Sequence, residues 1–226
     1  FTIPEGFEIR MIIDNLVEKG LGTKEELYEA INNGEYDYDF LEGISREEGK
    51  LEGYLFPDTY EVYGNASGKE IIKKMLNRFD DVFNDEYRKR VEELGMSIDE
   101  LITLASIIER EAKVDEERKI ISSVFHNRLK NRMMLQSCAT VQYVLKERKE
   151  ILLFKDLEVQ SPYNTYKNFG LPPGPIASPG LKSIEAALYP DNTDYLYFVA
   201  KDDGTHVFTK TFKEHIEAQN KINNNR

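Results

Sequence analysis

Glu109 and Glu111, two positions apart, are the strongest candidates for acid–base chemistry in this chain. On a helix, Glu109 would lie roughly 20° around the axis from Ile98, inside the apolar stripe, whereas Glu111 would point to the far side. Burial disfavours the charged form of a carboxyl group, and a general acid needs its proton at neutral pH. The spacing therefore favours Glu109 as an inward-facing acid and Glu111 as a carboxylate in water. A purely structural pair of Glu109 with an internal Arg or Lys explains the same pattern, with Arg128 as a candidate partner.

The helix that carries Glu109 must begin shortly before it and keep one side toward the core. Ser97, followed three positions later by Glu100, is a capping-box sequence, which satisfies backbone N–H groups in the first helical turn. Apolar residues then recur with the helical period. They are Ile98, Leu101, Ile102, Ala105, Ile108 and Ala112. We therefore predict a helix over residues 97–112 with this stripe buried.

Three further stretches are candidates for a binding site, and in the first of them, residues 51–63, aromatic faces and hydroxyl groups together suit carbohydrate. Residues 51–63 contain tyrosines among Gly and Pro, and we expect two short strands around a bend there. Residues 136–143 add uncharged hydrogen-bonding side chains. Residues 161–180 are dense in Pro and Gly, which predicts a rigid loop that forms the wall of a site. Tyrosines packed at a domain edge would explain the first stretch equally well.

Local patterns predict the remaining elements. A strand end over residues 1–3 and helices over 8–19 and 23–31 indicate a small, separate α/β unit. Further helices are predicted over residues 67–79, 85–94, 115–129, 183–188 and 211–222. A hairpin is predicted from strands over 195–200 and 206–209, which flank a Gly-containing turn.

Composition limits the possible classes of protein. The 226 residues are 40% hydrophobic, enough for one sizeable core and a smaller companion domain. A net charge of −11 argues against nucleic-acid binding, since phosphate neutralisation needs an excess of Lys and Arg. The three scattered histidines (His126, His206 and His215) and the lone Cys138 predict neither a metal site nor a cysteine nucleophile. No apolar run reaches the roughly 20 residues of a membrane helix. Because the chain begins at Phe1 without Met, we expect an excised soluble portion of a longer protein.

A series of short motifs occurs in the order in which one enzyme family carries them. They are EGYLFPDTY (52–60), ASIIERE (105–111), SVFHNRL (123–129), LQS (135–137), TVQY (140–143), YNTY (163–166), GLPPGPI (170–176), YLYFVA (195–200) and HVF (206–208). Each motif alone is weak, but together they are highly specific. Through them the chain resembles the MltG-type (YceG-like) endolytic murein transglycosylases of bacterial cell walls.

The resemblance implies an α+β fold in two parts. Residues 1–45 would form a small, truncated LysM-like α/β subdomain, and residues 46–226 a mixed helical and β catalytic domain with an open glycan groove. The implied reaction cleaves the MurNAc-β-1,4-GlcNAc bond of glycan strands without water, leaves 1,6-anhydroMurNAc ends and limits strand length. It needs no cofactor and no metal. Peptidoglycan strands and peptidoglycan synthases are the implied partners, and a single N-terminal membrane helix outside this chain would hold the enzyme on the extracytoplasmic face.

The resemblance also implies roles for individual residues. Glu109 would be the catalytic acid/base. The implied substrate-binding residues are Glu52, Tyr60, Gln136, Thr140, Tyr143, Asn164 and Tyr166. At Cys138-Ala139 the chain departs from the acid and Pro that the family often carries, which argues against an essential role for a carboxylate there but not against Glu109. Two alternatives stay open: a lysozyme-like hydrolase with Glu52 or Asp58 as the second carboxylate, and a non-catalytic glycan-binding scaffold.

Overall fold

The computed structural model describes residues 1–46, 48–149 and 152–224. They form an α+β fold, made mainly of helices with one two-stranded antiparallel sheet. The helices are α1 (Ile9–Glu18), α2 (Lys24–Asn33), α3 (Gly68–Val82), α4 (Asp85–Leu94), α5 (Ile98–Glu111), α6 (Arg118–Lys130), α7 (Cys138–Leu145), α8 (Phe154–Leu157), α9 (Leu181–Leu188) and α10 (Phe212–Asn224). The strands are β1 (Tyr197–Ala200) and β2 (His206–Thr209), and 3-10 turns span Asp39–Leu41 and Asp115–Glu117. In this described part, no helix combines the length and apolarity needed to cross a bilayer.

Helix α5 lies at the centre of the fold. All eight residues from Leu101 to Ile108 are buried, because α4, α6, α7 and α9 each contact it. The predicted capping box begins the helix: the Ser97 hydroxyl accepts from the N–H of Glu100 at 3.1 Å, and the Glu100 carboxylate accepts from the N–H of Ser97 at 2.8 Å. Because helices pack on several sides of α5, the residues of its last turn have fixed positions.

Helices α1 and α2 form the N-terminal unit, and α2 packs against α3. The buried side of α1 consists of Ile9, Ile12, Ile13 and Leu16. Thr23 begins α2 with the capping box that the sequence predicts. The buried residues of this unit belong to the same hydrophobic cluster as those of α3 and α5. The division of the chain at residue 45 therefore stays a prediction.

The predicted hairpin is confirmed. Strand β1 pairs antiparallel with β2, so that Tyr197 lies opposite Thr209 and Ala200 opposite His206. Thr211 begins α10 by accepting a hydrogen bond from the N–H of Glu214 at 3.2 Å. Helix α10 then packs against both strands.

The prediction of strands over residues 1–3 and 51–63 is wrong. Among the described residues these stretches share only an isolated bridge between Thr2 and Thr59, and turns occupy residues 50–54. The ring of Tyr54 instead packs in the helical core against Phe40 and Phe79, with centroid distances of 5.4 and 5.1 Å. By contrast, residues 161–180 contain neither helix nor strand, as their Pro and Gly content predicts.

Candidate active site

Glu109 lies in the last turn of α5, and its carboxyl group is almost buried. The side chain is 8% exposed, which confirms the inward orientation predicted from the apolar stripe. Its Oε2 accepts hydrogen bonds from the backbone N–H of Gly180 at 3.0 Å and the hydroxyl of Ser183 at 2.7 Å. Arg118 Nη1 lies 3.4 Å from the same oxygen. The partners are thus polar and charged, not the apolar neighbours expected from the stripe.

The start of α9 supplies two of these three donors. The first N–H groups of a helix lack partners within the helix, and the helix dipole favours negative charge at this end. Gly180 precedes the first residue of α9, so its N–H is free to bind Glu109. The Ser183 hydroxyl donates to Glu109 and accepts from Arg118, which links the acid to the cation. Because α9 packs closely on α5, this end of α9 has a fixed position relative to Glu109.

Arg118, the first residue of α6, is the cation of the site. Its side chain is 9% exposed, and its Nη2 donates to Asp115 at 2.9 Å. The expectation that Arg128 pairs with an internal acid is wrong, because Arg128 donates instead to backbone carbonyls such as that of Leu196, at 2.6 Å. Both arginines lie on α6, and the sequence pattern alone did not distinguish their partners.

The N-terminal turn, residues 4–6, covers Glu109, and sequence reasoning missed this contact. The N–H of Gly6 donates to the carbonyl of Ser178 at 2.8 Å, and a Cβ at Gly6 would lie 3.7 Å from Glu109 Cγ. The Glu5 carboxyl group rests on Gly180, where a Cβ would lie 1.9 Å from Glu5 Oε1. Desolvation and then the charge of Glu109 raise the pKa of Glu5. No local pattern signals this neighbour, because Glu5 and Glu109 are far apart in the sequence.

Glu111 faces a separate cavity of about 400 Å³. Its side chain is half-buried, and its carboxylate, which the sequence places on the side away from Glu109, accepts a hydrogen bond from the Ser137 hydroxyl just before α7. Two predicted substrate-binding residues, Gln136 and Tyr166, line the same cavity. Glu109 does not belong to its lining. The structure therefore brings Gln136 and Tyr166 together, but they lie around Glu111 and not around Glu109.

Glu52 lies at the N-terminus of α1. It is 4% exposed, and its two carboxyl oxygens lie 3.1 and 3.3 Å from the N–H donor of Ile9. The hydroxyl of Tyr143, another predicted binding residue, lies 3.3 Å from Glu52 Oε2. Burial raises the pKa of Glu52 to about 8, although the hydrogen bond from Ile9 acts in the opposite direction. These two predicted residues thus meet each other at the start of α1.

The other three predicted binding residues are buried within the fold. Each side chain donates a hydrogen bond to a backbone carbonyl: Tyr60 at 2.6 Å, Thr140 at 2.8 Å and Asn164 at 2.9 Å. Their part in substrate binding stays a prediction. The residues described here contain no group of three or more His, Cys, Asp or Glu side chains that could hold a metal ion, so we assign no metal ligand.

Comparison with known proteins gives consistent matches. The model of the YceG-like family matches residues 1–221. A protein of Bacillus subtilis (strain 168) named endolytic murein transglycosylase is 40% identical over 235 residues, covering 97% of this chain and 64% of that protein. A protein of the same name from Streptococcus pneumoniae serotype 2 (strain D39) is 35% identical over 220 residues, covering 88% of this chain and 40% of that protein. The chain thus spans less than two thirds of the length of these curated relatives.

A solved structure gives the same result for the fold. The crystal structure of a putative yceG-like protein from Listeria monocytogenes superposes with a TM-score of 0.86 at 40% sequence identity. The match covers 96% of this chain and 75% of the crystallised chain.

Proposed function

The chain belongs to the YceG-like family, and from this premise we propose that it is an endolytic peptidoglycan lytic transglycosylase. The proposed substrate bond is the β-1,4 bond between N-acetylmuramic acid and N-acetylglucosamine within glycan strands. The proposed product is a strand with a 1,6-anhydromuramyl end. The observation that carries the proposal is the almost buried carboxyl group of Glu109, held through one oxygen by Gly180, Ser183 and Arg118.

One carboxyl group is enough for this reaction. Neutral Glu109 donates its proton to the glycosidic oxygen while the bond from that oxygen to C1 of the muramic acid breaks. The 6-hydroxyl of the same sugar then attacks C1, and the Glu109 carboxylate takes the hydroxyl proton. No water enters the product. Hydrolysis generally needs two carboxyl groups, because a water molecule or a covalent intermediate must be activated as well.

The contacts of Glu109 give its two oxygens different tasks. Oε2 accepts from Gly180 and Ser183, which fixes the plane of the carboxyl group. Oε1 accepts no hydrogen bond from the residues that the structure describes, and we assign the proton transfer to it. Arg118 stabilises the carboxylate that remains after the proton has left, since hydrogen bonds to charged partners are stronger than neutral ones.

Substrate recognition extends over the predicted binding residues. Gln136 and Tyr166 are assigned to sugar amide and hydroxyl groups, because both line the cavity beside α7. The more deeply placed set supports the groove: Glu52, Tyr60, Thr140, Tyr143 and Asn164. Residues 1–45 are proposed to be LysM-like. The proposal further includes partnership with peptidoglycan synthases, control of strand length, and tethering by an N-terminal membrane helix on the extracytoplasmic side.

The test is a digest of purified glycan strands with the chain and with Glu109→Gln. Gln keeps the shape of the side chain but has no acidic proton, so release of anhydro ends should fall by about 10²-fold or more. Glu92→Gln, the same change on the exposed side of α4, is the matched control and should retain wild-type release. Mass spectrometry of the products measures the outcome.

Each other outcome has a defined meaning. Products heavier by one water per cut would show a hydrolase, for which Glu52 or Asp58 would be the second carboxylate. Binding of strands without any cut would show a scaffold. If Glu109→Gln were fully active and Glu111→Gln inactive, the catalytic acid would be Glu111, in the cavity lined by Gln136 and Tyr166.

A further inference from the structure

Three arginine side chains from distant parts of the sequence meet at the N-terminal turn. This arginine cluster consists of Arg10 from α1, Arg110 from α5 and Arg148 from the residues after α7. Arg110 Nη1 and Arg148 Nη2 both donate to the carbonyl oxygen of Gly6, at 3.4 and 3.0 Å. Two guanidinium groups that share one acceptor are close neighbours. Desolvation and then the charge of Arg148 lower the pKa of Arg110, as expected for adjacent like charges.

The cluster has more positive charge than its ion pairs compensate. Glu8 pairs with Arg10 at 2.6 Å and lies 3.5 Å from Arg110. The contacts that the structure gives for Arg148 are with uncharged atoms, the Gly6 carbonyl and a methionine sulfur. In the described part of the chain, three cations thus pair with one carboxylate. The cluster is therefore a positively charged place on a chain whose net charge is −11.

The cluster lies next to Glu109, on the turn that covers this acid. A Cβ at Gly6 would lie 3.7 Å from Glu109 Cγ and 3.5 Å from Arg110 Cδ, so Gly6 touches both side chains. The Arg110 side chain is only 11% exposed, whereas Arg148 is exposed. A ligand whose reacting bond lies at Glu109 can therefore extend over the turn to the guanidinium group of Arg148.

We propose that the arginine cluster binds a carboxylate of the peptide that muramic acid carries, with Arg148 as the principal donor. This inference rests on the proposed function, because it takes the peptidoglycan strand as the ligand. The peptides on such a strand have free carboxyl groups, and a guanidinium group presents paired N–H donors that match the two oxygens of a carboxylate. The negative charge of the whole chain repels an anionic strand, and the cluster provides attraction beside the acid.

Arg148→Gln tests the contact from the side of the protein. In the cleavage of soluble, uncross-linked strands, KM should rise by about three- to tenfold while kcat stays within about twofold, because the contact acts on binding and not on proton transfer. Arg148→Lys keeps the charge but loses the paired donors, and its KM should lie between the two. Lys89→Gln, which removes one positive charge from the exposed side of α4, is the matched control and should keep the wild-type KM.

Changes to the strand test the same contact from the side of the ligand. Carbodiimide and ammonia convert the carboxyl groups of the peptides to amides, which removes their charge and keeps the peptides in place. The KM of the wild type should rise by about three- to tenfold on these strands, and Arg148→Gln should then have the same KM as the wild type. An equally large effect of Arg148→Gln on amidated and untreated strands would show that Arg148 only holds the turn, and would refute the proposal.

Strands without peptides identify which carboxylate is bound. An amidase removes the peptides and leaves the lactyl carboxylate of muramic acid in their place. The effect of Arg148→Gln should disappear on these strands. An undiminished effect would assign the cluster to the lactyl group and would overturn the peptide assignment.

A binding measurement separates this inference from the proposed function. Fluorescence anisotropy of labelled strands gives the Kd in the Glu109→Gln background, and thermal unfolding followed by circular dichroism checks that the variants are folded. If the wild type cuts strands but Arg148→Gln raises neither KM nor Kd, the role of the cluster alone is refuted. If the wild type releases no anhydro ends while the Kd still depends on Arg148 and on the charge of the peptides, the proposed function fails and the binding site stands.

Discussion

Glu52 makes the stability of the protein depend on pH, and Glu52→Gln should remove that dependence. Burial raises the pKa of Glu52 from an ordinary 4.5 to about 8. Between these two values the folded protein keeps a proton on Glu52 that the unfolded chain releases. The contribution of Glu52 to stability is therefore fully present below about pH 4.5 and is lost as the pH rises to about 8, above which it changes no further.

The magnitude follows from the width of this window. One pH unit of difference corresponds to about 1.4 kcal/mol, so the wild type should lose on the order of 3 kcal/mol relative to Glu52→Gln between pH 5 and pH 8. In a chain of this size that is a shift of roughly 6 to 12 °C in the difference between the two Tm values. Gln can still accept a hydrogen bond from Ile9, so the variant should fold.

The assay compares urea unfolding of the two proteins at pH 5, 6, 7 and 8. Circular dichroism is the suitable probe, because the chain contains no Trp. Other titrating groups cancel in the difference between wild type and variant. Glu92→Gln, on the exposed side of α4, should give a difference that does not change with pH. If the difference for Glu52→Gln were equally constant, Glu52 would not be a desolvated carboxyl group in the folded protein.

Two further predictions concern the helical core and the start of α5. Phe79→Ala should cost about 3–5 kcal/mol in urea unfolding, because the fully buried ring packs between Phe40 and Phe83, and a loss below about 1 kcal/mol would show that the cluster repacks. Ser97→Ala should cost about 1 kcal/mol, because it removes the acceptor for the N–H of Glu100, and Ser97→Asp, which restores an acceptor, should recover most of it. Equal stability of the Ala and Asp variants would contradict the capping role.

The sequence predicts those parts of the fold that depend on residues close together in the chain. The capping boxes at Thr23 and Ser97 mark the starts of α2 and α5, since each joins residues three positions apart. The β1–β2 hairpin is predictable for the same reason, because its two strands and the turn between them lie within about 15 consecutive residues. The prediction of strands in residues 51–63 is wrong because aromatic residues favour a strand only where their side chains pack on the face of a sheet. Here the ring of Tyr54 packs with Phe79 in a helical core, and Gly53 with φ +90° bends the chain.

The candidate site was only partly predictable, for the same physical reason. The direction of Glu109 follows from the period of its own helix. Its partners do not, because Arg118 comes from α6, Ser183 from α9 and Glu5 from the N-terminal turn. No spacing within one element can reveal contacts between elements so far apart. Motifs shared with a family located the residue, but only the packing shows which groups surround its carboxyl group.

The N-terminal turn connects the small N-terminal unit to the chemistry proposed for the rest of the chain. Gly6 has φ +73°, which favours glycine, and its carbonyl accepts from Arg148 at 3.0 Å. Its N–H meanwhile donates to the loop before α9. A displacement of this turn would therefore move Glu5 away from Gly180 and uncover Glu109 at the same time. The N-terminal turn thus forms part of the wall around the acid, so any motion of the N-terminal unit relative to α9 alters the exposure of Glu109.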